Sequence, residues 1–123
     1  MSFDWRDFLD VADVLAKFEL TGRREALLRS AVSRAYYAAF GTARAQAAVL
    51  RAATRQSAAE HGELVAFYSK RFGEAGGQIA FLLARLRTFR NAADYDATFE
   101  DAEAMCELTL NDAHELIDLL ATL

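Results

Sequence analysis

Proline is absent from this chain of 123 residues, cysteine occurs once and glycine six times. With no proline and few glycines, signals for β-hairpins are scarce, while the 26 alanines favour helix. The lone cysteine, Cys106, excludes a disulfide framework and a cysteine-based zinc site. No uncharged stretch approaches the roughly 20 residues that a membrane-spanning helix needs. We therefore expect one all-α domain over residues 1–123, with no membrane contact.

The sequence also lacks paired cysteines and a secretory leader, so the reducing cytoplasm is the expected compartment. Its net charge of −4 is unevenly distributed along the chain. Residues 1–20 carry a net −3, residues 21–90 carry +8 and residues 91–123 carry −9. Such asymmetry is typical of an anion-binding face or of a charge-paired partner. The alternative is that the acidic last helix neutralises the basic ones within the fold.

Apolar periodicity and the few chain breakers predict five helices, packed as an antiparallel bundle. Helix one is expected to follow Ser2 and to end at Thr21-Gly22. Helix two is expected from Arg23 to about Ala53, because a single internal glycine does not forbid a helix. The inward positions of these two helices are Phe8, Val11, Ala12, Leu15 and Phe18 in the first, and Leu28, Val32, Ala35, Ala39, Ala43 and Leu50 in the second.

The second half of the chain contains the signals for three more helices. Residues 57–60 fit a capping box that opens helix three, and Gly76-Gly77 is expected to close it. Thr98, three residues before Asp101, is expected to open helix five. The inward positions are Leu64, Phe67, Tyr68 and Phe72 in helix three, Ile79, Leu82, Leu83, Leu86, Phe89 and Ala93 in helix four, and Ala102, Cys106, Ala113, Ile117 and Leu120 in helix five.

Arginines form a stripe on the outer side of helix two, within an arc of roughly 100° on an ideal helix. They are Arg23, Arg34, Arg44, Arg51 and Arg55. Tyr37 lies inside the same arc, and arginines interleaved with an aromatic ring suit phosphate binding and base stacking. A solvated helix face has the same composition, since arginine is a good helix former with a long covering stem. Both interpretations stay open from the sequence.

Arg90 is the sharper anomaly, because it projects with the apolar stripe of helix four. A buried guanidinium keeps its charge, and leaving it unpaired costs several kcal/mol, on the order of the penalty for breaking a buried ion pair. It must therefore meet an acid, a cleft or a second chain. Asp94, one turn further on, offers a structural ion pair. The functional alternative is a cleft arginine, flanked by Arg87 and Asn91, that binds phosphate through two parallel hydrogen bonds.

Metal and cofactor sites find little support in the sequence. His61 and His114 are the only histidines, and neither shares a helix face with a second metal ligand at a spacing of four. The sequence has no glycine-rich phosphate loop, no nucleophile elbow and no paired carboxylates on a core face. We predict no metal and no cofactor, and a surface position for His114.

Three segments, in this order, resemble the HEPN domain family, in particular its small stand-alone bacterial and archaeal members. Ser33-Arg34-Ala35-Tyr36-Tyr37-Ala38-Ala39-Phe40 is close to a family signature in helix two. His61-Gly62, followed by Val65 and Phe67, resembles the family's histidine-led start of the third helix. Leu86-Arg87-Thr88-Phe89-Arg90-Asn91-Ala92-Ala93-Asp94-Tyr95-Asp96 is similar to the motif that ends its fourth helix. The resemblance implies a bundle of four to five helices, commonly a homodimer whose fourth-helix motifs face one cleft.

The resemblance also implies chemistry, because many HEPN proteins are metal-independent RNA endonucleases of toxin or defence systems, often encoded beside a minimal nucleotidyltransferase. Their motif is an arginine, a polar residue and, after four to six intervening residues, a histidine. Arg90 and Asn91 match its beginning, but Tyr95 stands where the histidine is expected. Proton transfer near neutral pH suits histidine and not tyrosine, whose pKa is about 10. Nuclease activity is thus expected to be weak or absent, and His61 is the next candidate for proton transfer.

The sequence therefore predicts an RNA- or nucleotide-binding HEPN component of a toxin–antitoxin or defence pair. The residues expected to bind RNA or nucleotide are Arg34, Tyr37, His61, Arg87, Arg90 and Asp94. Tyr95 has two interpretations, a packing residue or an acceptor of nucleotidylation as in some HEPN toxins. The competing class is a non-catalytic dimeric interaction module that partners a nucleotidyltransferase-type protein.

Overall fold

The computed structural model describes residues 2–50 and 59–123, and these residues form five α-helices and no strand. The helices are α1 (Asp7–Lys17), α2 (Arg24–Val49), α3 (Glu60–Ser69), α4 (Gly73–Tyr95) and α5 (Ala102–Ala121). The predicted all-α helical bundle is confirmed. No described helix combines the length and the apolar character needed to cross a bilayer.

Helix α2 is the centre of the bundle and packs against all four other helices. Six of its eleven buried residues are alanines, whose small side chains allow neighbouring backbones to come close. The indole of Trp5 lies over Gly41, where a Cβ atom would collide with the ring. Contacts of α2 with Trp5, Phe8 and Ala16 show that α1 runs antiparallel to it, and contacts of Arg29 and Tyr36 with the end of α4 show the same for α4.

The core follows most of the predicted stripes, with a few outer positions that differ. Val11 lies on the outer side of α1 and Phe18 follows its last residue, Lys17; both are exposed, so their predicted inward positions were wrong. Leu50 is also exposed, since α2 ends one residue before it. The predicted capping box begins at Ser57, which lies outside the described residues, and Arg51, Arg55 and Ala53 do too.

The boundary between α3 and α4 lies earlier than the glycine pair predicted. The chain turns at Phe72 and Gly73, both with left-handed φ values of 66° and 59°, and α4 already begins at Gly73. Gly76 and Gly77 therefore lie inside α4. Phe72 is 37% exposed, because it occupies the turn and not the buried face of α3.

The start of α5 is also different from the prediction. Asp101 precedes the helix with a φ of 52°, and no side chain caps its first amides, so the Thr98 cap is absent.

Polar pairs between helices stabilise the bundle in addition to the apolar core. Arg85 of α4 forms two 2.7 Å hydrogen bonds with the buried Asp112 of α5, and the Tyr68 hydroxyl donates to the carbonyl of Ala43 at 2.6 Å.

Candidate functional site

The last turns of α4 carry two arginines toward α2. Arg90 follows the buried stripe of α4 and its side chain is only 13% exposed, so it projects with the apolar residues as predicted. Arg87 lies one turn earlier and is half-buried. The site is therefore built where the C-terminal part of α4 crosses the first half of α2.

Arg90 lies among aromatic rings and has little opposite charge around it. Its guanidinium carbon is 5.1 Å from the ring centre of Tyr36, 5.6 Å from that of Tyr37 and 5.9 Å from that of Tyr95. The nearest carboxylate oxygen belongs to Asp94, at 3.8 Å. The Nε atom is buried without a hydrogen-bond partner. Because 3.8 Å is too long for a hydrogen bond, Asp94 compensates the positive charge of Arg90 only in part.

Asp94 itself is shared with α2. The hydroxyl of the buried Ser33 donates to Oδ2 of Asp94 at 3.3 Å. Both residues line a shallow groove of about 580 Å³ that also includes Arg34, together with residues of α1. The ion pair of Arg90 with Asp94 was the structural alternative at the sequence level, and it is present in a loose form.

The C-terminal end of α4 is fixed by an arginine from α2. Arg29 donates to the carbonyls of Ala93 at 2.9 Å and Asp96 at 2.7 Å, and it makes a longer contact of 3.4 Å with Ala97. Helix ends leave such carbonyls without partners inside the helix. Arg29 thereby sets the position of the turn that carries Arg90 and Asp94.

His61 reaches the same site from the start of α3. Its Nδ1 atom lies 2.9 Å from the hydroxyl oxygen of Tyr36, and its ring stacks on Phe40 with the planes 12° apart. Burial, with a further contribution from the positive charges of Arg87 and Arg90, lowers the pKa of His61 to about 4. The imidazole is consequently neutral at pH 7.

Tyr36 connects the histidine with the arginines. The residue is 3% exposed, and burial raises the pKa of its hydroxyl to about 12, although Arg90 and Arg87 act in the opposite direction. The phenol therefore keeps its proton at every physiological pH. Tyr36, His61 and Arg90 form one contiguous group from three helices.

Of the three described arginines of the α2 stripe, Arg23 is exposed, whereas Arg34 and Arg44 pack on aromatic rings. The guanidinium of Arg34 lies over the rings of Phe8 and Tyr37, at 4.9 and 5.1 Å. Arg44 lies 3.4 Å from the buried Glu60 and over Trp5. Arg34 is the arginine of the stripe that lines the groove beside Asp94.

The remaining predicted site residues differ in their exposure. Asn91 is exposed next to Arg90. Tyr95 is 75% exposed at the last position of α4, so it is not part of the core, although its ring lies against Arg90. His114 is exposed and 3.3 Å from Asp13, on the surface as predicted. Among the described residues, no group of three or more His, Cys, Asp or Glu side chains is placed to hold a metal ion.

Three residues of the site, Ser33, Tyr36 and Arg29, were not predicted as site residues from the sequence. Ser33, Tyr36 and Phe40 are spaced by three and four residues, which puts them on one side of α2. That spacing within the motif could have identified Ser33 and Tyr36. Nothing local signals Arg29, because its partners are carbonyls more than 60 residues away.

The comparison with protein families decides the assignment. A family model described as HEPN domain matches residues 8–123, nearly the whole chain. The chain belongs to the HEPN domain family. Searches of curated proteins and of solved structures return no match. The resemblance drawn from three sequence segments is thus confirmed, and membership in the HEPN family supports a role related to nucleotides or RNA.

Proposed function

We propose that this HEPN protein binds RNA or nucleotides through their phosphates, as one component of a toxin–antitoxin or defence pair. The observation that carries the proposal is Arg90. Its guanidinium is largely withdrawn from solvent and its Nε has no hydrogen-bond partner. Within residues 2–50 and 59–123, Asp94 at 3.8 Å is the only carboxylate that forms an ion pair with it. A phosphate oxygen would supply the missing charge and the missing acceptor together.

Two further arginines near Arg90 favour an anionic ligand with more than one negative charge. Arg87 adds a second positive charge close enough to influence both Tyr36 and His61. Arg34 adds a third on the groove side of Tyr37. A phosphodiester chain brings one negative charge per nucleotide, so this cluster matches an RNA strand.

Aromatic rings beside the arginines offer stacking for bases. Tyr95 is largely exposed and Tyr37 is half-buried, and both lie within 6 Å of the Arg90 guanidinium. Stacking of a base on an aromatic ring contributes about 1–3 kcal/mol and tolerates every base. We therefore expect single-stranded RNA to bind better than an RNA duplex.

Catalysis by the family motif is proposed to be weak or absent. Arg90 and Asn91 match the start of the motif, whereas Tyr95 occupies the place of the histidine. Losing a proton-transfer group typically lowers the rate by about 10² to 10⁴. Binding of RNA without efficient cleavage is the expected behaviour of the chain alone.

A second candidate function is a non-catalytic interaction module that partners a nucleotidyltransferase-type protein. Exposed apolar side chains on and after α1 favour it, namely Val11, Val14, Phe18 and Leu20. HEPN domains often dimerise, and we propose a homodimer with α4 at or near the interface. Sedimentation at micromolar concentration tests this assembly, and a monomer would contradict it.

Fluorescence anisotropy with a labelled single-stranded RNA tests the proposed function. The wild type should bind at low salt, and Arg90→Ala should weaken binding about tenfold or more. Arg23→Ala is the matched control, because it removes the same charge from an exposed arginine whose side chain, within the described part of the chain, donates only to the carbonyl of Gly22. No binding by the wild type, or equal losses in both variants, would leave the interaction module as the function.

A further inference from the structure

His61 raises a question that the proposed function leaves open, namely which of its two nitrogens carries the proton. A neutral imidazole donates from one nitrogen and accepts at the other. If the free nitrogen is an acceptor, His61 can take a proton from a bound ligand. If the free nitrogen is a donor, His61 can only bind an oxygen that already carries negative charge.

The hydrogen bond with Tyr36 decides between the two forms. The Tyr36 hydroxyl has no other hydrogen-bond acceptor among residues 2–50 and 59–123, and the residue is 3% exposed. If Nδ1 of His61 were the donor, the phenolic O–H would be left buried without an acceptor, which is costly. The hydroxyl therefore donates to Nδ1, and the proton of the neutral ring resides on Nε2.

The charges around the phenol favour the same orientation. Arg90 and Arg87 both act on the Tyr36 hydroxyl as positive charges. The lone pairs of the phenol oxygen are stabilised when they face these guanidiniums, and its hydrogen is stabilised when it points away from them, toward His61. The geometry and the electrostatics thus agree on the Nε2–H form.

His61 is half-buried and is hydrogen-bonded to the tyrosine on which Arg90 packs, so it lies at the edge of the proposed phosphate site. We infer that it serves this site as a neutral hydrogen-bond donor through Nε2 and not as its proton acceptor, an inference that rests on the proposed function. The ligand class follows from this role. The site takes a fully ionised oxyanion, such as a phosphate monoester or the phosphodiester of RNA, and it has no need of a ligand proton. Nδ1 is occupied by Tyr36, so proton transfer to His61 would first require that this hydrogen bond break. The lowered pKa of His61 agrees with a ring that stays neutral when the site is empty.

Nitrogen-15 NMR of the histidine rings tests the protonated position directly. At pH 7.5, His61 of the wild type should have a protonated Nε2 and an unprotonated Nδ1. Tyr36→Phe removes the hydroxyl that fixes this form, so His61 should then exchange between both forms. An Nδ1–H form in the wild type would overturn the inference, whatever the binding data show.

Titration with inorganic sulfate tests the donor role, because sulfate is a pure acceptor at this pH. His61→Phe keeps a planar ring over Phe40 but has no donor, and it should weaken sulfate binding about tenfold. His61→Gln restores a donor and should recover most of the binding. Thermal unfolding of each variant checks that it is folded. If a variant does not fold, the NMR measurement on the wild type still tests the inference.

The outcomes separate this inference from the proposed function. If Arg90→Ala abolishes sulfate binding while His61→Phe leaves it unchanged, the phosphate site stands and the donor role of His61 is wrong. If the wild type binds no sulfate, the donor role is also wrong, and RNA binding then decides the proposed function alone. If neither variant changes sulfate binding, the anion binds elsewhere, and both the phosphate site at Arg90 and the donor role of His61 are contradicted.

Discussion

Arg90 shows how one residue can keep a positive charge inside a helical bundle. Three tyrosine rings cover its guanidinium with their π faces, and interactions of this kind contribute about 0.5–2 kcal/mol each. Asp94 supplies a distant negative charge. Packing is thereby satisfied, whereas Nε is left without a hydrogen-bond partner, and this combination distinguishes Arg90 from an arginine in an ordinary ion pair, such as Arg85 with Asp112.

His61 should make the stability of the protein depend on pH. Its pKa is about 4 in the folded chain and about 6.5 when unfolded, so the unfolded state binds the proton first as the pH falls. Between pH 6.5 and 4 the folded state consequently loses stability. For a half-buried group this loss is about 1 kcal/mol at pH 5.

Urea unfolding at pH 7 and pH 5 measures this effect, with His61→Phe as the control. The wild type should lose about 1 kcal/mol more than the variant over this interval, since all other titrating groups are the same in both. Equal losses would show that His61 titrates normally in the folded chain.

Tyr95 provides the residue-scale test of the missing motif histidine. Tyr95→His should raise RNA cleavage near neutral pH, by up to about 10² to 10⁴ for a well-placed imidazole and by less for a misplaced one. Adding Arg90→Ala to this variant should abolish the gain, because the arginine would stabilise the negative charge that develops on phosphorus. Cleavage of a labelled RNA followed on a gel measures both effects. Robust cleavage by the wild type that persists in Tyr95→Phe would contradict the account.

At the scale of helices, most of the fold follows from the sequence because its signals are local. Apolar residues recur at helical spacing and proline is absent, so the five helices and 16 of the 24 buried apolar residues in the described part of the chain were predicted from the sequence. The glycine pair at 76 and 77 was misread, since its role depends on a contact with the preceding turn. A Cβ atom on Gly76 would overlap the backbone carbonyls of Tyr68 and Arg71. Such an approach between two elements leaves no periodic signal.

The candidate site was predictable only in part, for the same reason. Helical spacing alone placed Arg90 on the buried side of α4. The hydrogen bond between Tyr36 and His61 joins two helices across 25 residues of sequence, and the cap that Arg29 provides joins residues more than 60 apart. Neither partner choice is encoded in the spacing of one helix, so both required the three-dimensional structure.

The two glycines give a matched test of the start of α4. Gly76→Ala should destabilise the protein by about 1–3 kcal/mol, because backbone carbonyls cannot move away from the new methyl group. Gly77→Ala should stabilise it by about 0.5–1 kcal/mol, since nothing lies within 4 Å of a Cβ there and alanine favours helix. Denaturant unfolding of both variants measures the difference. Equal effects would show that the carbonyls of Tyr68 and Arg71 do not approach Gly76 as closely as the structure has them.

At the scale of the whole molecule, the uneven charge of the chain is only partly cancelled by the fold. Arg24 and Arg85 of the basic middle segment pair with Glu103 and Asp112 of the acidic end, each with a 2.7 Å contact. The acidic helix α5 therefore does neutralise some of the arginines. Arg87 and Arg90, near the end of α4, have no acidic partner from α5 among the described residues, so their positive charge remains available to a ligand.

The most direct measurement of the central claim is the salt dependence of RNA binding. For single-stranded RNA, the logarithm of the binding constant falls with the logarithm of the salt concentration by about 0.7 for each phosphate contact. Arg90→Ala should reduce this slope by about 0.7 relative to the wild type, and Arg23→Ala should leave it unchanged. A slope in Arg90→Ala equal to that of the wild type would show that Arg90 binds no phosphate and would contradict the account.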